Sequence, residues 1–269
     1  MSATAAELKA RAEELRRLHT DPAILVLVNV WDAASARTVA SLPGCRAIAT
    51  ASWAIAAAHG LADGEAIGRE GMLAAVACVA GAVDLPVTAD LEGGYGDTPA
   101  DVGETIVRAL TAGAVGCNLE DGVRDGELLR DAEDAAARVA AARQRADAEG
   151  VPIVINARTD VYLRGADDPE AAILRGQAYA RAGADCIFVP GVTDRATIKA
   201  LVEGIDAPVS ILAHPGAPSV SELQQLGVAR VSFGPGPMGV ALAALAKTAS
   251  DLLGGGVPAD ELSFRPPAA

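Results

Sequence analysis

Short β-branched runs alternate with longer runs rich in Ala, Leu, Arg and Glu from one end of the chain to the other. Most of the β-branched runs are apolar throughout, which is typical of parallel strands that helices cover on both faces. Eight β/α units in sequence predict a closed (β/α)8 TIM barrel, and 269 residues fit the roughly 250 of that fold. A doubly wound open sheet is the structural alternative. The predicted strands cover residues 24–30, 47–50, 86–90, 116–120, 153–158, 186–190, 209–213 and 230–234.

Glycines lie in the predicted connections between helices and strands. Gly113, Gly183 and Gly227 each stand just past a predicted helix and just before a strand, where glycine supplies the left-handed C-cap. No linker or change of composition divides the chain, so we predict one catalytic barrel domain over residues 1–253 and an irregular Gly/Pro-rich tail over 254–269. The predicted helices cover residues 64–81, 99–113, 130–150, 169–183, 194–204 and 219–227.

Composition narrows the possible partners and the compartment. Hydrophobic residues make up 51% of the chain but aromatic residues only 3%, so the core must be built from Ala, Val, Leu and Ile. The formal net charge of −13 argues against nucleic acid and anionic membrane surfaces as partners. No run approaches the roughly 20 apolar residues of a membrane span, and the four widely spaced cysteines indicate neither a zinc site nor a disulfide framework. We therefore expect a soluble, cytoplasmic protein.

Acidic residues follow two neighbouring predicted strands. Chemistry in a TIM barrel gathers at the carboxyl ends of the strands. Asp90 and Glu92 lie two residues apart at the end of the third strand, so both side chains can face one side of an extended segment, and Glu120 at the end of the fourth can converge on them. Carboxylates without His or thiolate partners favour Mg²⁺ or Mn²⁺ over Zn²⁺. A lone Asp at a strand end is more often a helix cap or turn residue; the joint occurrence on consecutive strands favours a metal site.

Other polar residues at the strand ends are candidates for catalysis. Arg158 ends the fifth strand, although it could simply pair with Asp160 or Glu120. His214, after the seventh strand, is a candidate proton donor because imidazole titrates near neutrality; the alternative is a turn histidine. Tyr95 is a second candidate, which could instead only shape its loop.

Four segments resemble the isocitrate lyase/phosphoenolpyruvate mutase superfamily. They are Asn-Val-Trp-Asp-Ala-Ala-Ser-Ala-Arg from residue 29, Thr-Ala-Asp-Leu-Glu-Gly-Gly-Tyr-Gly-Asp from residue 88, Asn-Leu-Glu-Asp from residue 118 and Ile-Asn-Ala-Arg-Thr-Asp from residue 155. The second and fourth, in this order and spacing, are specific together, although each alone would be weak. The resemblance extends from about residue 7 to about residue 245.

The resemblance implies roles for individual acids. Asp90 matches the direct magnesium ligand, while Glu92 and Glu120 match acids that act through metal-bound water. Asp63, which follows the second strand, matches a further acid near the metal.

The resemblance also implies a substrate site and an assembly. Arg158 matches the arginine that grips the substrate carboxylate or stabilises its negative oxygen, and Asn156 of the same motif is assigned to substrate binding. Ser52 and Trp53 match positions that bind the carboxylate of a 2-oxo acid. Members are tetramers of dimers that exchange the last helix, so a homo-oligomer, a dimer or tetramer, is expected.

The loop after the fourth strand departs from the family pattern. The isocitrate and methylisocitrate lyases carry Lys-Lys/Arg-Cys-Gly-His there, whereas residues 122–129 contain no Cys, His or Lys. Cys117 lies within the strand before Glu120 and cannot substitute. The Lys and Asn of the phosphonate mutase loop are also missing. The classical lyase and phosphonomutase activities are therefore not expected in their usual form.

The chemistry that remains open needs fewer catalytic residues than that loop provides in the classical lyases. A divalent ion chelated by the carboxylate and carbonyl of a 2-oxo acid stabilises an enolate. We therefore predict a Mg²⁺- or Mn²⁺-dependent lyase or decarboxylase that cleaves a C–C bond of a small 2-oxo or 2-hydroxy carboxylate, oxaloacetate or methylisocitrate-like. One alternative is a phosphonopyruvate-type P–C hydrolase or mutase, whose cationic pocket would draw on Arg124, Arg130 and Arg158. Another is a non-catalytic protein that binds 2-oxo acids.

Overall fold

A single sheet of nine parallel strands forms the centre of the molecule. The computed structural model describes residues 3–123 and 128–257. Strand order around the sheet is β1-β9-β8-β7-β6-β5-β4-β3-β2, and only one residue separates β1 from β2 in the chain, so the sheet closes into a barrel. The strands are β1 Leu25–Leu27, β2 Asn29–Val30, β3 Ile48–Thr50, β4 Val87–Asp90, β5 Gly116–Glu120, β6 Val154–Arg158, β7 Cys186–Val189, β8 Val209–Leu212 and β9 Arg230–Ser232.

The first predicted strand, residues 24–30, is not continuous: it is divided between β1, which pairs with β9, and β2, which pairs with β3. The side chain of Asn29 accounts for the division. Its Oδ1 accepts hydrogen bonds from the backbone N–H groups of Phe233 and Gly234, both at 2.8 Å. Its Nδ2 donates to the carbonyl of Thr50 at 2.9 Å. An amide side chain thus replaces backbone pairing at the point where the barrel closes.

Helices follow the strands around the outside of the barrel, as the alternating pattern predicts. The predicted helix over 64–81 begins only at Gly68, because the N–H groups of Gly64 and Glu65 donate to the carboxylate of Glu92 instead. The ten helices of the described ranges are α1 Ala5–His19, α2 Ala33–Ala40, α3 Ser52–Ala58, α4 Gly68–Ala80, α5 Pro99–Thr111, α6 Ala132–Ala148, α7 Pro169–Arg181, α8 Arg195–Gly204, α9 Val220–Gln225 and α10 Gly236–Leu253.

Glycine ends three of these helices as predicted. Gly113, Gly183 and Gly227 follow α5, α7 and α9 with φ of 95°, 106° and 89°. These values lie in the left-handed region that residues with a Cβ rarely adopt. The carboxyl end of α10 at Leu253 coincides with the predicted end of the domain, and most of the predicted irregular tail, residues 258–269, lies outside the described residues.

The core lies between the helices and the outer face of the sheet, and Ala, Val, Leu and Ile dominate it. None of the helices in the described ranges is both long enough and apolar enough to span a membrane.

The guanidinium group of Arg230 is buried inside the barrel, at the end where the strands begin. Arg230 starts β9 and is 1% exposed. Its Nη2 donates to Oδ1 of Asn118 at 3.1 Å, and its Nη1 lies 3.4 Å from Nε2 of His19. Nδ1 of His19 lies 2.8 Å from the carbonyl of Leu15. A neutral imidazole with its proton on Nδ1 satisfies both contacts, because Nε2 then accepts from the guanidinium.

His19 makes the stability of the fold sensitive to acid. Burial and then the charge of Arg230 lower the pKa of His19 to about 3, whereas an unfolded histidine titrates near about 6.5. The unfolded chain therefore binds a proton that the folded chain excludes between these values. As the pH falls through this window, we expect His19 to lower the free energy of unfolding by up to about 1.4 kcal/mol per pH unit.

His19→Gln tests this prediction by urea unfolding at a series of pH values. The variant should lose stability less steeply than the wild type below pH about 6.5. Equal slopes for the two proteins would contradict the assignment.

Candidate metal and substrate site

The carboxyl ends of the strands open onto a cavity of about 210 Å³. This volume lies below the roughly 300–1,000 Å³ of drug-sized ligand sites, so the cavity suits a small acid. The lining is divided by position in the barrel. A polar half comes from β2 to β6 and the loops that follow β3, and its polar side chains are Asn29, Ser52, Asp63, Asp90, Asn118 and Arg158. An apolar half comes from β7 to β9 and nearby loops, and it consists chiefly of Leu163, Phe188, Pro190, Leu212 and Pro235.

Asp90 ends β4 at the floor of the polar half. Its Oδ2 accepts from the backbone N–H of Ser52 at 3.1 Å, and its own N–H donates to Oγ1 of Thr50 at 2.9 Å. Its Oδ1 is buried and has no hydrogen-bond partner among the described residues. A buried carboxylate oxygen is costly without a partner. The bare Oδ1 therefore fits a cation bound in the cavity.

Asp63 lines the same cavity from the loop between α3 and α4. Partial burial, followed by the negative charge of Asp90, raises the pKa of Asp63. Two carboxylates that line one small cavity favour a cation between or near them, and the role of Asp63 near the metal stays a prediction.

Glu92 uses both of its carboxylate oxygens in contacts with its own loop and with the loop between α3 and α4. It is 3% exposed; its Oε2 accepts from the N–H groups of Gly64 and Glu65 at 2.8 and 2.6 Å, and its Oε1 accepts from the hydroxyl of Tyr95 at 2.5 Å. Burial raises the pKa of Glu92 to about 7, although the Tyr95 hydrogen bond lowers it. Glu92 and Tyr95 both lie outside the cavity lining. Their predicted roles, as a water-bridged ligand and as a proton donor, stay predictions.

Two arginines hold this glycine-rich loop in place. Arg138 of α6 is 1% exposed; its Nη2 donates to the carbonyls of Gly93 and Gly96, both at 2.7 Å, and its Nη1 to that of Asp97 at 3.1 Å. Arg69 donates to the carbonyl of Tyr95 at 2.6 Å. Guanidinium groups thus take the place of regular structure in fixing the chain that follows Asp90.

Arg158 lies between two carboxylates. Its Nη1 is 2.7 Å from Oε2 of Glu120, and its Nε and Nη2 donate to Asp160 at 2.5 and 3.1 Å. Both pairings that the sequence left open are therefore formed. Burial and neighbouring acids raise the pKa of Glu120, and Arg158 opposes this rise.

Direct ligands for a metal are few. Within residues 3–123 and 128–257, no three His, Cys, Asp or Glu side chains lie close enough together to hold an ion. The predicted acids therefore do not form a closed cage. Mg²⁺ takes one or two carboxylates and completes its shell with water and substrate oxygens, and the predicted set of metal ligands stays a prediction.

Of the predicted substrate-binding residues, Ser52 and Trp53 line the cavity. Asn156 is fully buried outside the lining, and its Nδ2 donates to Oδ1 of Asn118 at 2.8 Å. Asn118 itself lines the cavity. The amide at the cavity is therefore that of Asn118 on β5 and not that of Asn156, its neighbour across the sheet on β6. The position of Asn118 two residues before Glu120 on β5 was the signal that sequence reasoning did not use.

His214 lies outside the cavity lining. Its side chain is exposed, and Nδ1 is 2.9 Å from the carbonyl of Pro215, which is the geometry of the turn histidine considered as the alternative. Its role as proton donor stays a prediction.

Asp121, which directly follows β5, is a buried centre of hydrogen bonding at 1% exposure. Its Oδ1 accepts from the N–H of Asp160 at 2.9 Å, and its Oδ2 accepts from Arg175 at 3.1 Å and from the hydroxyl of Tyr179 at 2.7 Å. It ties the β5 end to the β6 end and to α7.

Asp121→Ala should lower the free energy of unfolding by about 2–4 kcal/mol, because Arg175 and Tyr179 lose a buried acceptor. Urea unfolding followed by circular dichroism measures the change. Asp84→Ala is the control, since Asp84 is exposed and its loss should stay within about 0.5 kcal/mol. Equal stabilities of the two variants would contradict the structural role of Asp121.

Comparison with known proteins places this site in a family. Residues 15–253 match the family model described as phosphoenolpyruvate phosphomutase. The chain is 35% identical over 254 residues to an uncharacterised protein of Mycobacterium tuberculosis, covering 92% of this chain and 94% of the relative. The chain therefore belongs to the phosphoenolpyruvate phosphomutase family, within the PEP mutase/isocitrate lyase superfamily of lyases and mutases.

Two solved structures share the fold over almost the whole chain. A Burkholderia cenocepacia protein provisionally described as a phosphonomutase is 45% identical with a TM-score of 0.87, covering 90% of this chain and 98% of that one. A 2,3-dimethylmalate lyase of the PEP mutase/isocitrate lyase superfamily is 28% identical with a TM-score of 0.84, covering 94% and 91%. These likenesses confirm the predicted barrel and superfamily.

Proposed function

We propose that this protein is a Mg²⁺- or Mn²⁺-dependent carbon–carbon lyase or decarboxylase that acts on a small 2-oxo or 2-hydroxy carboxylate. The observation that carries the proposal is Asp90, which lines the small cavity and whose buried Oδ1 has no hydrogen-bond partner among the described residues. When bound, a divalent cation supplies a Lewis acid that stabilises the enolate left by cleavage next to a carbonyl. The solved 2,3-dimethylmalate lyase of the same superfamily supports a lyase.

The chain's own residues supply orientation and charge. The Ser52 N–H holds Oδ2 of Asp90, and Oδ1, which has no hydrogen-bond partner among the described residues, would hold the cation. Glu92 and Glu120 already use their oxygens within the protein and would act through water. Arg158 lines the cavity and would orient the substrate carboxylate.

The alternative P–C bond chemistry needs more positive charge around a phosphonate. Arg130 lies outside the cavity lining and pairs with Asp134 at 3.4 Å, and Arg124 lies outside the described residues. Arg158 is engaged by two carboxylates. This charge balance favours a carboxylate substrate.

A substrate panel tests the proposal. Purified protein with Mg²⁺ or Mn²⁺ is assayed on oxaloacetate, methylisocitrate, 2,3-dimethylmalate, the monocarboxylate 4-hydroxy-2-oxopentanoate and phosphonopyruvate, with and without EDTA. We expect metal-dependent turnover of at least one carboxylate substrate. Release of phosphate from phosphonopyruvate alone would favour P–C hydrolysis, and tight binding of 2-oxo acids without turnover of any compound would favour a non-catalytic protein.

We further propose that α10 packs against a second copy of the chain. Leu242, Leu245 and Leu252 lie on one face of this helix and are 47%, 63% and 42% exposed. An apolar stripe of this kind marks an interface, and the family resemblance implies exchange of the last helix between subunits. Light scattering after gel filtration should show a dimer or tetramer for the wild type and smaller species for Leu245→Glu.

Leu174→Glu is the matched control, because Leu174 lies on α7 and is similarly exposed at 58%. It should leave the assembly unchanged. A monomeric wild type would contradict the proposal.

A further inference from the structure

The division of the cavity into two halves carries information about the far end of the substrate. The polar half contains the carboxylates that would hold the metal and Arg158. The apolar half lies across the barrel, on β7 to β9 and the loop after β6. Of its side chains, Phe188 is buried, whereas Leu163 is 48% exposed at the mouth. Ser232 on β9 is the polar exception in that half.

Among the described residues, the positive charge that lines the cavity lies at the boundary between the halves. Arg158 is the one basic side chain lining the cavity in the part of the chain that the structure describes. Glu120 and Asp160 both bind it, and its guanidinium carbon lies 5.9 Å from the centroid of the Phe188 ring. A carboxylate held at the metal would use what remains of this charge. A second carboxylate, directed at Phe188 and Leu212, would meet hydrocarbon.

We propose that the substrate of this site is a monocarboxylate whose end away from the metal is uncharged and apolar, such as a 4-hydroxy-2-oxo acid with a short aliphatic substituent. Its C3–C4 bond would break so that C4 leaves as an aldehyde, the hydroxyl proton is given up and C3 takes a proton to complete pyruvate. This inference rests on the proposed function, because it takes the carboxylate and carbonyl end of the substrate to lie at Asp90. Such a monocarboxylate differs from oxaloacetate and methylisocitrate, the compounds named from the sequence, which carry two and three carboxylates.

Two physical effects act in the same direction. An ionised carboxylate that loses water against Phe188, Leu212 and Pro235 without a donor is strongly disfavoured. An alkyl group in the same place gains from burial of its apolar surface. The affinities for matched ligands should therefore differ by at least about tenfold, which corresponds to about 1.4 kcal/mol.

A matched pair of ligands tests the inference. 2-Oxoglutarate and 5-methyl-2-oxohexanoate have the same 2-oxo acid end, but an isopropyl group in the second replaces the distal carboxylate of the first. Calorimetry with the full-length protein at saturating Mg²⁺ should show 5-methyl-2-oxohexanoate binding at least about tenfold more tightly. Pyruvate serves as the shared core of both ligands.

A substitution in the apolar half should change this preference. Leu163→Arg places a cation at the mouth of the cavity. Because Leu163 is already half exposed, the substitution should leave folding unchanged. We expect 2-oxoglutarate to gain at least about tenfold relative to its isopropyl analogue. Leu174→Arg, the same change at a similarly exposed site on α7, should leave the ratio as in the wild type.

The outcomes separate this inference from the proposed function. Tighter Mg²⁺-dependent binding of 2-oxoglutarate by the wild type would overturn the apolar preference while leaving the metal-dependent 2-oxo acid site intact. An unchanged ratio in Leu163→Arg would overturn the assignment of the apolar half to the distal group. Failure of pyruvate and of both ligands to bind with Mg²⁺ would overturn the proposed function itself.

Discussion

Asp90→Asn should reduce catalytic activity by at least about 10³-fold, because a metal ion contributes several kcal/mol of charge stabilisation and each 1.4 kcal/mol is about tenfold in rate. Asparagine keeps the shape of the side chain and can still accept from the N–H of Ser52. It loses the negative charge of the carboxylate that would bind the cation. The substitution should therefore weaken metal binding without lowering the stability of the fold.

The measurement combines activity with calorimetric titration of Mn²⁺. We expect Asp90→Asn to bind Mn²⁺ at least about 100-fold more weakly than the wild type, which corresponds to about 2.7 kcal/mol, with an unfolding midpoint at or above that of the wild type. Asp97→Asn makes the same chemical change in the same loop at an exposed position and should leave both properties unchanged. Full activity in Asp90→Asn would remove the basis for placing the metal at this residue.

Much of the barrel could be predicted from the sequence because each unit carries a local signal. Apolar β-branched runs predict buried parallel strands, and Gly113, Gly183 and Gly227 predict the helix ends that the structure has. The split between β1 and β2 could not be predicted in this way. It depends on Asn29 reaching Phe233 and Gly234, which are about 200 residues away in the chain, and no local pattern records a contact of that range.

The candidate site could be predicted less completely, for a related physical reason. Strand-end position predicts that Asp90 and Arg158 share one rim of the barrel, and both line the cavity. The roles of individual acids depend on what each carboxylate contacts, and Glu92 and Asp121 are satisfied by backbone N–H groups and side chains from other elements. A search for polar strand ends also overlooks Phe188 and Leu212, whose importance lies in being apolar.

Arg158 is the other position where a single substitution should have a large effect. Arg158→Gln leaves Glu120 and Asp160 without their shared cation, and the side chains of these two acids are only 17% and 3% exposed. Removing one partner from a buried ion pair costs about 3–5 kcal/mol, because the remaining charge stays desolvated. We therefore expect a loss of this size in the free energy of unfolding by urea, together with a fall of at least about 10²-fold in kcat/KM.

Arg158→Lys separates charge from geometry. Lysine keeps the positive charge but lacks the planar guanidinium group. With that group Arg158 donates two hydrogen bonds to Asp160 and also contacts Glu120. Most of the lost stability should return in the lysine variant while most of the activity stays lost, because charge balance governs folding and directed hydrogen bonds govern substrate orientation. Arg37→Gln, at an exposed position on α2, controls for loss of an arginine. Equal recovery of stability and activity in Arg158→Lys would mean that Arg158 contributes only its charge, and unchanged stability in Arg158→Gln would contradict the buried three-residue pairing.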